Sequence, residues 1–185
     1  PEGNVLGLVN GKAELVAPSH CIDHGACATA CPMQGIELVF GTEKRGVDIP
    51  AVASDFQTNV PGIYIAGELG GMGLIRNAIE QGRQAMVEII KAAPGRAGAP
   101  LDVVIVGAGP AGISASLAAL QAGLKAVTLE QDSFGGTVAH FPRGKLVMTA
   151  PADLPSYGRV NLRETYKEEL LGFWAKVKAD TGLKI

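Results

Sequence analysis

Apolar and polar positions, punctuated by glycine and proline, divide the sequence into three blocks of predicted structure. In the first block, two short apolar runs within residues 5–16 flank Asn10-Gly11, a dipeptide favoured in tight hairpin turns. Residues 36–40 predict a returning strand. The second block predicts a strand at 63–66 and a helix at about 74–91, whose broad apolar face indicates that it packs on a sheet.

The third block alternates strand and helix. Residues 101–106 predict a strand, 111–122 a helix and 126–130 a second strand, which together form a βαβ unit. Further on, Thr165 and Glu168 have the spacing of a capping box, which predicts the start of a last helix that runs to about Asp180.

Charge and composition exclude several classes of partner. The formal net charge of -2 provides no basic surface for nucleic acid, so none is expected as a partner. Residues 103–124 carry no charge and are long enough to cross a bilayer. Glycine, proline and serine interrupt them, however, so we expect a buried strand and a packed helix there and no membrane span. With its three cysteines confined to one short loop, the chain is expected in a reducing compartment, the cytoplasm.

The most informative motif is the glycine-rich turn between the first strand and the helix of the βαβ unit. Gly107, Gly109 and Gly112 have the GxGxxG spacing of a dinucleotide fingerprint, and Glu130 closes the next strand. In this motif the glycines allow the turn, the approach of a pyrophosphate and close packing of the helix, whose N-terminus attracts the negative charge. Glu130 can accept hydrogen bonds from ribose hydroxyls and disfavours a 2′-phosphate, so FAD or NAD fits and NADP fits poorly.

The second block resembles a known family. The stretch Asn59-Val-Pro-Gly-Ile-Tyr-Ile-Ala-Gly67-Glu68, followed by a helix with Ala78, Gln81 and Gly82, is similar to the C-terminal FAD signature of thioredoxin reductase-like flavoproteins. The resemblance implies that the carboxylate at position 68 holds the ribityl chain of FAD, although the family usually has aspartate there. The βαβ unit and Gly135-Gly136-Thr137 resemble the N-terminal FAD half of the same family. The expected FAD-binding residues are therefore Gly67, Glu68, Gly107, Gly109, Pro110, Ala111, Gly112, Glu130, Gly135, Gly136 and Thr137.

The order of the two signatures departs from this family. The C-terminal signature comes first here, and the second fingerprint that the family uses for the nicotinamide nucleotide is missing. We expect a fragment of a larger protein that spans the junction of two flavoprotein modules; a permuted domain is the alternative. Strands 63–66 and 101–106 are expected to lie in one parallel sheet, either within one chain or swapped between two chains.

The cysteine loop resembles a bacterial ferredoxin motif. Cys21, Cys27, Cys31 and Pro32 keep the spacing of C-x2-C-x2-C-x3-C-P, and His24 stands where the second cysteine is expected. The resemblance implies a 4Fe-4S cluster with Cys21, His24, Cys27 and Cys31 as candidate metal ligands. The fourth cysteine of that motif serves another cluster, so the coordination sphere is open. An iron-sulfur cluster is the favoured interpretation, and zinc or a loop without metal are the alternatives.

These predictions give an α/β fold, a Rossmann-like parallel sheet with flanking helices that binds FAD, plus a small ferredoxin-like α+β segment. The expected divisions are the ferredoxin-like segment 1–50, the C-terminal FAD signature 51–92, a linker 93–100 and the N-terminal half of an FAD-binding domain, 101–185.

The predicted function is part of an FAD-dependent NAD(P)H oxidoreductase. In the intact enzyme, electrons would pass from a nicotinamide nucleotide through FAD to an iron-sulfur centre or a redox partner protein. The alternatives are an NAD-binding dehydrogenase domain and a noncatalytic electron-transfer or interaction module.

Overall fold

The computed structural model describes residues 5–21, 25–33, 35–36, 50–70, 74–92 and 100–185. The strands in these ranges are β1 (Leu6–Val9), β2 (Lys12–Leu15), β3 (Val103–Val106), β4 (Ala126–Leu129), β5 (Leu146–Met148), β6 (Ala152–Leu154), β7 (Gly158–Val160) and β8 (Thr165–Tyr166). The α-helices are α1 (Ala26–Thr29), α2 (Ile75–Ala92), α3 (Pro110–Gln121) and α4 (Lys167–Thr181). Three short 3-10 turns cover Pro18–His20, Glu68–Gly70 and Gly136–His140.

The centre of the fold is the βαβ unit formed by β3, α3 and β4. The two strands are parallel, with Val103 opposite Ala126 and Val106 opposite Leu129. Parallel strands need a crossover between them, and α3 is that crossover. The predicted α/β fold with a parallel sheet and flanking helices is therefore confirmed.

Helix α2 packs along α3. Small residues permit this approach, because a Cβ atom added at Gly82 would overlap the carbonyl oxygen of Ala111. Met86 from α2 and Ala119 from α3 share a buried cluster with Ile105 of β3. The predicted helix at 74–91 is confirmed within one residue at each end.

The larger core lies between α3 and α4. Leu117 and Trp174 are fully buried in it, together with Leu170 and Val177 of α4. The short antiparallel pairs β5 with β8 and β6 with β7 close this core. Aromatic and aliphatic burial on this scale is the main driving force that holds α4 against the βαβ unit.

The predicted N-terminal hairpin is confirmed. Strands β1 and β2 are antiparallel around Asn10 and Gly11, whose φ angles are both positive, as this kind of turn requires. The strand predicted at 36–40 lies outside the described residues, apart from Ile36.

The strand predicted at residues 63–66 is not formed. Residues 63–66 do not join β3 in a parallel sheet, because their backbone bonds to an earlier segment: Ile65 N–H donates to Phe56 C=O over 2.9 Å, and Tyr64 pairs antiparallel with Gln57. This arrangement satisfies the backbone groups that would otherwise need a neighbouring strand.

The predicted capping pair of the last helix is shifted by one residue. The carboxylate of Glu169, rather than that of Glu168, accepts the Tyr166 N–H over 2.9 Å. Thr165 is buried in β8, where it cannot serve as the helix cap.

Within the ranges that the structure describes, no helix combines the length and the apolar character needed to cross a membrane.

Candidate functional site

The candidate site begins where β3 ends. Gly107 N–H donates to Leu129 C=O over 2.7 Å, which continues the β3–β4 pairing by one residue. Gly107 then turns the chain with a φ of +99°, although a Cβ atom there would meet nothing within 4 Å. Glycine is needed at this position for its backbone conformation and not for space.

Gly112 serves a different purpose from Gly107. A Cβ atom at Gly112 would overlap the carbonyl oxygen of Gly107 and lie 3.7 Å from Cγ2 of Ile105. The first turn of α3 therefore rests directly on the end of β3, as the fingerprint predicts.

Gly109 is the N-cap of α3 and is partly exposed. A Cβ atom there would make only ordinary contacts, 3.9 Å from Gly135 O and 4.0 Å from Gly136 Cα. Pro110 occupies the first helical position, and no side chain among the described residues caps the helix. The first amides of α3 are therefore directed towards a region where an anion can be bound.

Glu130 follows β4 and lies beside this turn. Its Oε2 accepts the Ala108 N–H over 2.6 Å, and its Oε1 accepts the Asp132 N–H over 3.0 Å. These two backbone donors, Ala108 first, hold the pKa of Glu130 below its usual value of 4.5. The carboxylate is thus fixed as an anion, and each oxygen keeps a lone pair for a ribose hydroxyl.

The loop that contains Gly135 and Gly136 covers the glycine-rich turn. Gly135 N–H donates to Ala108 C=O over 2.9 Å, and a Cβ atom at Gly136 would lie 3.0 Å from Cα of Gly109. Thr137 follows on the exposed side of this loop. The structure therefore brings the predicted residues 135–137 against the fingerprint.

The turn that carries Gly67 and Glu68 reaches the same place from the second block. Gly67 is buried with a φ of +90°, and a Cβ atom there would lie 3.0 Å from Cβ of Ala111 in the first turn of α3. Glu68 follows it and is exposed. The two FAD-like signatures thus meet at Ala111, although not through the parallel sheet that the sequence predicts.

Two contributors to this geometry are not evident from the sequence motifs. Oε1 of Gln81 accepts the buried Gly67 N–H over 2.7 Å, and the hydroxyls of Ser116 and Thr128 lie 2.6 Å apart between α3 and β4. The two residues of each pair are more than ten positions apart in the chain. The one sequence signal for such a contact is an isolated polar residue on an otherwise apolar helix face.

The cysteine loop is described only in part. Cys21, Cys27 and Cys31 are half-buried and form no disulfide, and Cys27 lies in α1. His24 lies outside the described residues. Among the residues that are described, no group of three or more His, Cys, Asp and Glu side chains is arranged to hold a metal ion. The complete ligand set, with His24, stays a prediction.

His140 ends the 3-10 turn Gly136–His140, beside the site. Its Nε2 is 2.8 Å from Oδ2 of Asp132, and both side chains are more than half exposed.

Comparison with known families assigns the cofactor. Residues 102–166, from the start of β3 to β8, match the family model of an FAD binding domain. FAD is the cofactor that this part of the chain fits. The match supports a flavin-dependent oxidoreductase. No curated protein and no solved structure matches the chain.

The donors and acceptors of the site suit FAD. The amides of the first α3 turn would hold the pyrophosphate, and Glu130 would hold the adenosine ribose. The absence of a side chain at Gly109 is consistent with a ligand that approaches the backbone closely. Bound FAD would supply the hydride and electron transfer chemistry, which the side chains of this site do not themselves provide.

Proposed function

We propose that this chain is the FAD-binding part of a thioredoxin reductase-like oxidoreductase. In the intact enzyme, a nicotinamide nucleotide would supply electrons, and an iron-sulfur centre or a redox partner protein would receive them. The observation that carries the proposal is the convergence of three separate loops, at Gly67, Gly109 and Gly136, on the N-terminus of α3.

Each loop has a defined role in this proposal. The α3 amides bind and orient the pyrophosphate, and Glu130 binds the ribose as an anion. The loop at Gly136 limits the access of water to the glycine-rich turn. Glu68 stands at the position that holds the ribityl chain in the family that this chain resembles.

The cysteine loop supports the electron-transfer part of the proposal. The three thiols are accessible enough to bind a metal, and their spacing is that of a cluster motif. With His24 as an additional ligand, the loop would hold an iron-sulfur cluster whose potential is raised by the imidazole. Zinc is the alternative occupant.

FAD titration of the purified chain tests the proposal. We expect saturable binding with the visible absorption of a flavin, and loss of binding in Gly109→Val, since the valine side chain would occupy the space that the pyrophosphate needs. The apo form of that variant should keep its fold, because a Cβ atom at Gly109 would make only ordinary contacts, at 3.9 and 4.0 Å. Gly172→Val is the control: a Cβ atom at this glycine of α4 would meet nothing within 4 Å, and Gly172 lies outside the site.

Three other results would contradict the proposal or part of it. If the wild-type chain binds NAD and not FAD, it is an NAD-binding domain. If it binds neither, the glycine-rich turn is structural and the chain is a noncatalytic module. Unchanged FAD affinity in Gly109→Val would remove the fingerprint from the binding site.

A further inference from the structure

A buried hydrogen bond outside the glycine-rich fingerprint joins Gln81 to the turn at Gly67. Gln81 lies in α2 and is 5% exposed, yet its side chain is polar. A buried amide is costly unless it makes hydrogen bonds. Oε1 of Gln81 is used to accept the Gly67 N–H over 2.7 Å, a contact across fourteen positions of the chain.

The backbone at Gly67 needs this acceptor. Gly67 is buried with a φ of +90°, and its N–H donates to Gln81 Oε1, whereas residues 63–65 pair with the preceding segment. A buried N–H without an acceptor would destabilise the turn. Gln81 therefore selects the conformation in which the turn enters the 3-10 segment Glu68–Gly70.

The neighbouring residue in α2 fixes the distance to the cofactor site. Gly82 lies against the carbonyl of Ala111, and Gly67 lies against the Cβ of the same residue. The dipeptide Gln81-Gly82 thus holds both the turn and α2 on the first turn of α3. Close packing of this kind transmits a shift of one partner to the others.

We propose that Gln81 is a positioning residue for FAD, which holds Glu68 at a fixed distance from the pyrophosphate-binding end of α3. The proposal rests on the proposed function, because it assumes that Glu68 contacts FAD. Gln81 does not itself touch the cofactor; it acts through the Gly67 amide.

The variant Gln81→Met removes the acceptor and keeps a side chain of similar length. We expect FAD to bind about tenfold more weakly, as for the loss of one buried hydrogen bond. The matched control is Gln84→Met. Gln84 is a half-buried glutamine of the same helix, and its Nε2 donates to Glu80 Oε1 over 2.7 Å, a contact within α2. The FAD affinity of Gln84→Met should equal that of the wild type.

A double-mutant cycle separates positioning from general stability. In the Glu68→Ala background, Gln81→Met should change FAD affinity by less than about twofold, because the group that it positions is already gone. Gln81→Glu keeps an acceptor oxygen and should recover part of the affinity lost in Gln81→Met. The unfolding midpoint of each apo variant, measured in parallel, shows how much of the effect is structural.

The outcomes distinguish this inference from the proposed function. If the wild type binds FAD and Glu68→Ala weakens binding, equal effects of Gln81→Met in both backgrounds, or none, overturn the positioning role alone. If the wild type does not bind FAD, the proposed function fails and this inference fails with it. If Glu68→Ala binds FAD as the wild type does, the role of position 68 is wrong and so is the inference.

Discussion

Gly112 lies so close to Gly107 that the carbonyl oxygen of Gly107 occupies the place where residue 112 would carry a Cβ atom. Gly112→Ala must therefore push α3 away from the end of β3. We expect it to destabilise the fold by about 1–3 kcal/mol, the usual cost of overpacking, and to weaken FAD binding. Chemical denaturation followed by circular dichroism measures the first effect.

The control substitution is expected to change the stability of the fold in the opposite direction. Gly172 lies inside α4, and a Cβ atom at this position would meet nothing within 4 Å. Gly172→Ala should therefore raise stability by about 0.5–1 kcal/mol through helix propensity. Equal stability changes for the two alanine variants would contradict the steric explanation.

The pH dependence of stability should report on Glu130. Its pKa is lowered in the folded protein by the amides of Ala108 and Asp132, so ionised Glu130 stabilises the fold above the usual pKa of 4.5. That contribution is lost as the pH falls below this value and through the lowered pKa. The difference in melting temperature between the wild type and Glu130→Gln should therefore be largest at neutral pH and shrink in acid. A difference that stays constant between neutral and strongly acidic pH would show that the charge of Glu130 is not involved.

The contact between Ser116 and Thr128 predicts a non-additive pair of substitutions. Both hydroxyls are buried and 2.6 Å apart, so Ser116→Ala leaves the Thr128 hydroxyl without its partner. We expect Ser116→Ala to lower the free energy of unfolding by about 1–3 kcal/mol. The double variant Ser116→Ala with Thr128→Val removes both polar groups, so its free energy of unfolding should fall by less. Thermal unfolding of the two single variants and the double variant forms the cycle. Additive losses would argue against the contact.

The cysteine loop predicts a metal-dependent spectrum. Anaerobic reconstitution with iron and sulfide should give a broad brown absorption, which Cys27→Ser should abolish. His24→Cys should lower the reduction potential of the cluster, because a thiolate replaces an imidazole. Electrochemical titration measures this shift. Elemental analysis that finds neither iron nor zinc after reconstitution would remove the loop from the function of this chain.

The sequence determined the local elements of this protein. The hairpin at Asn10-Gly11, helix α2 and the βαβ unit from β3 to β4 were all predicted, because hydrophobic period and glycine conformation act over a few residues. The fingerprint glycines were found for the same reason: the motif places strand, turn and helix in consecutive positions. The fingerprint residues leave FAD or NAD open; the resemblance favours FAD, and the family match supports it.

Only the tertiary structure decided how distant segments meet. Residues 63–66 have the composition of a buried strand, yet Ile65 N–H donates to Phe56 C=O and Ile63 C=O accepts the Thr58 N–H. The turn at Gly67 reaches Ala111 by helix packing instead. The contacts of Gln81 with Gly67 and of Ser116 with Thr128 are likewise set by how α2, α3 and β4 pack. Each of these contacts joins two segments that only the packing of the whole fold brings together, and a pattern along one chain carries no measure of those distances.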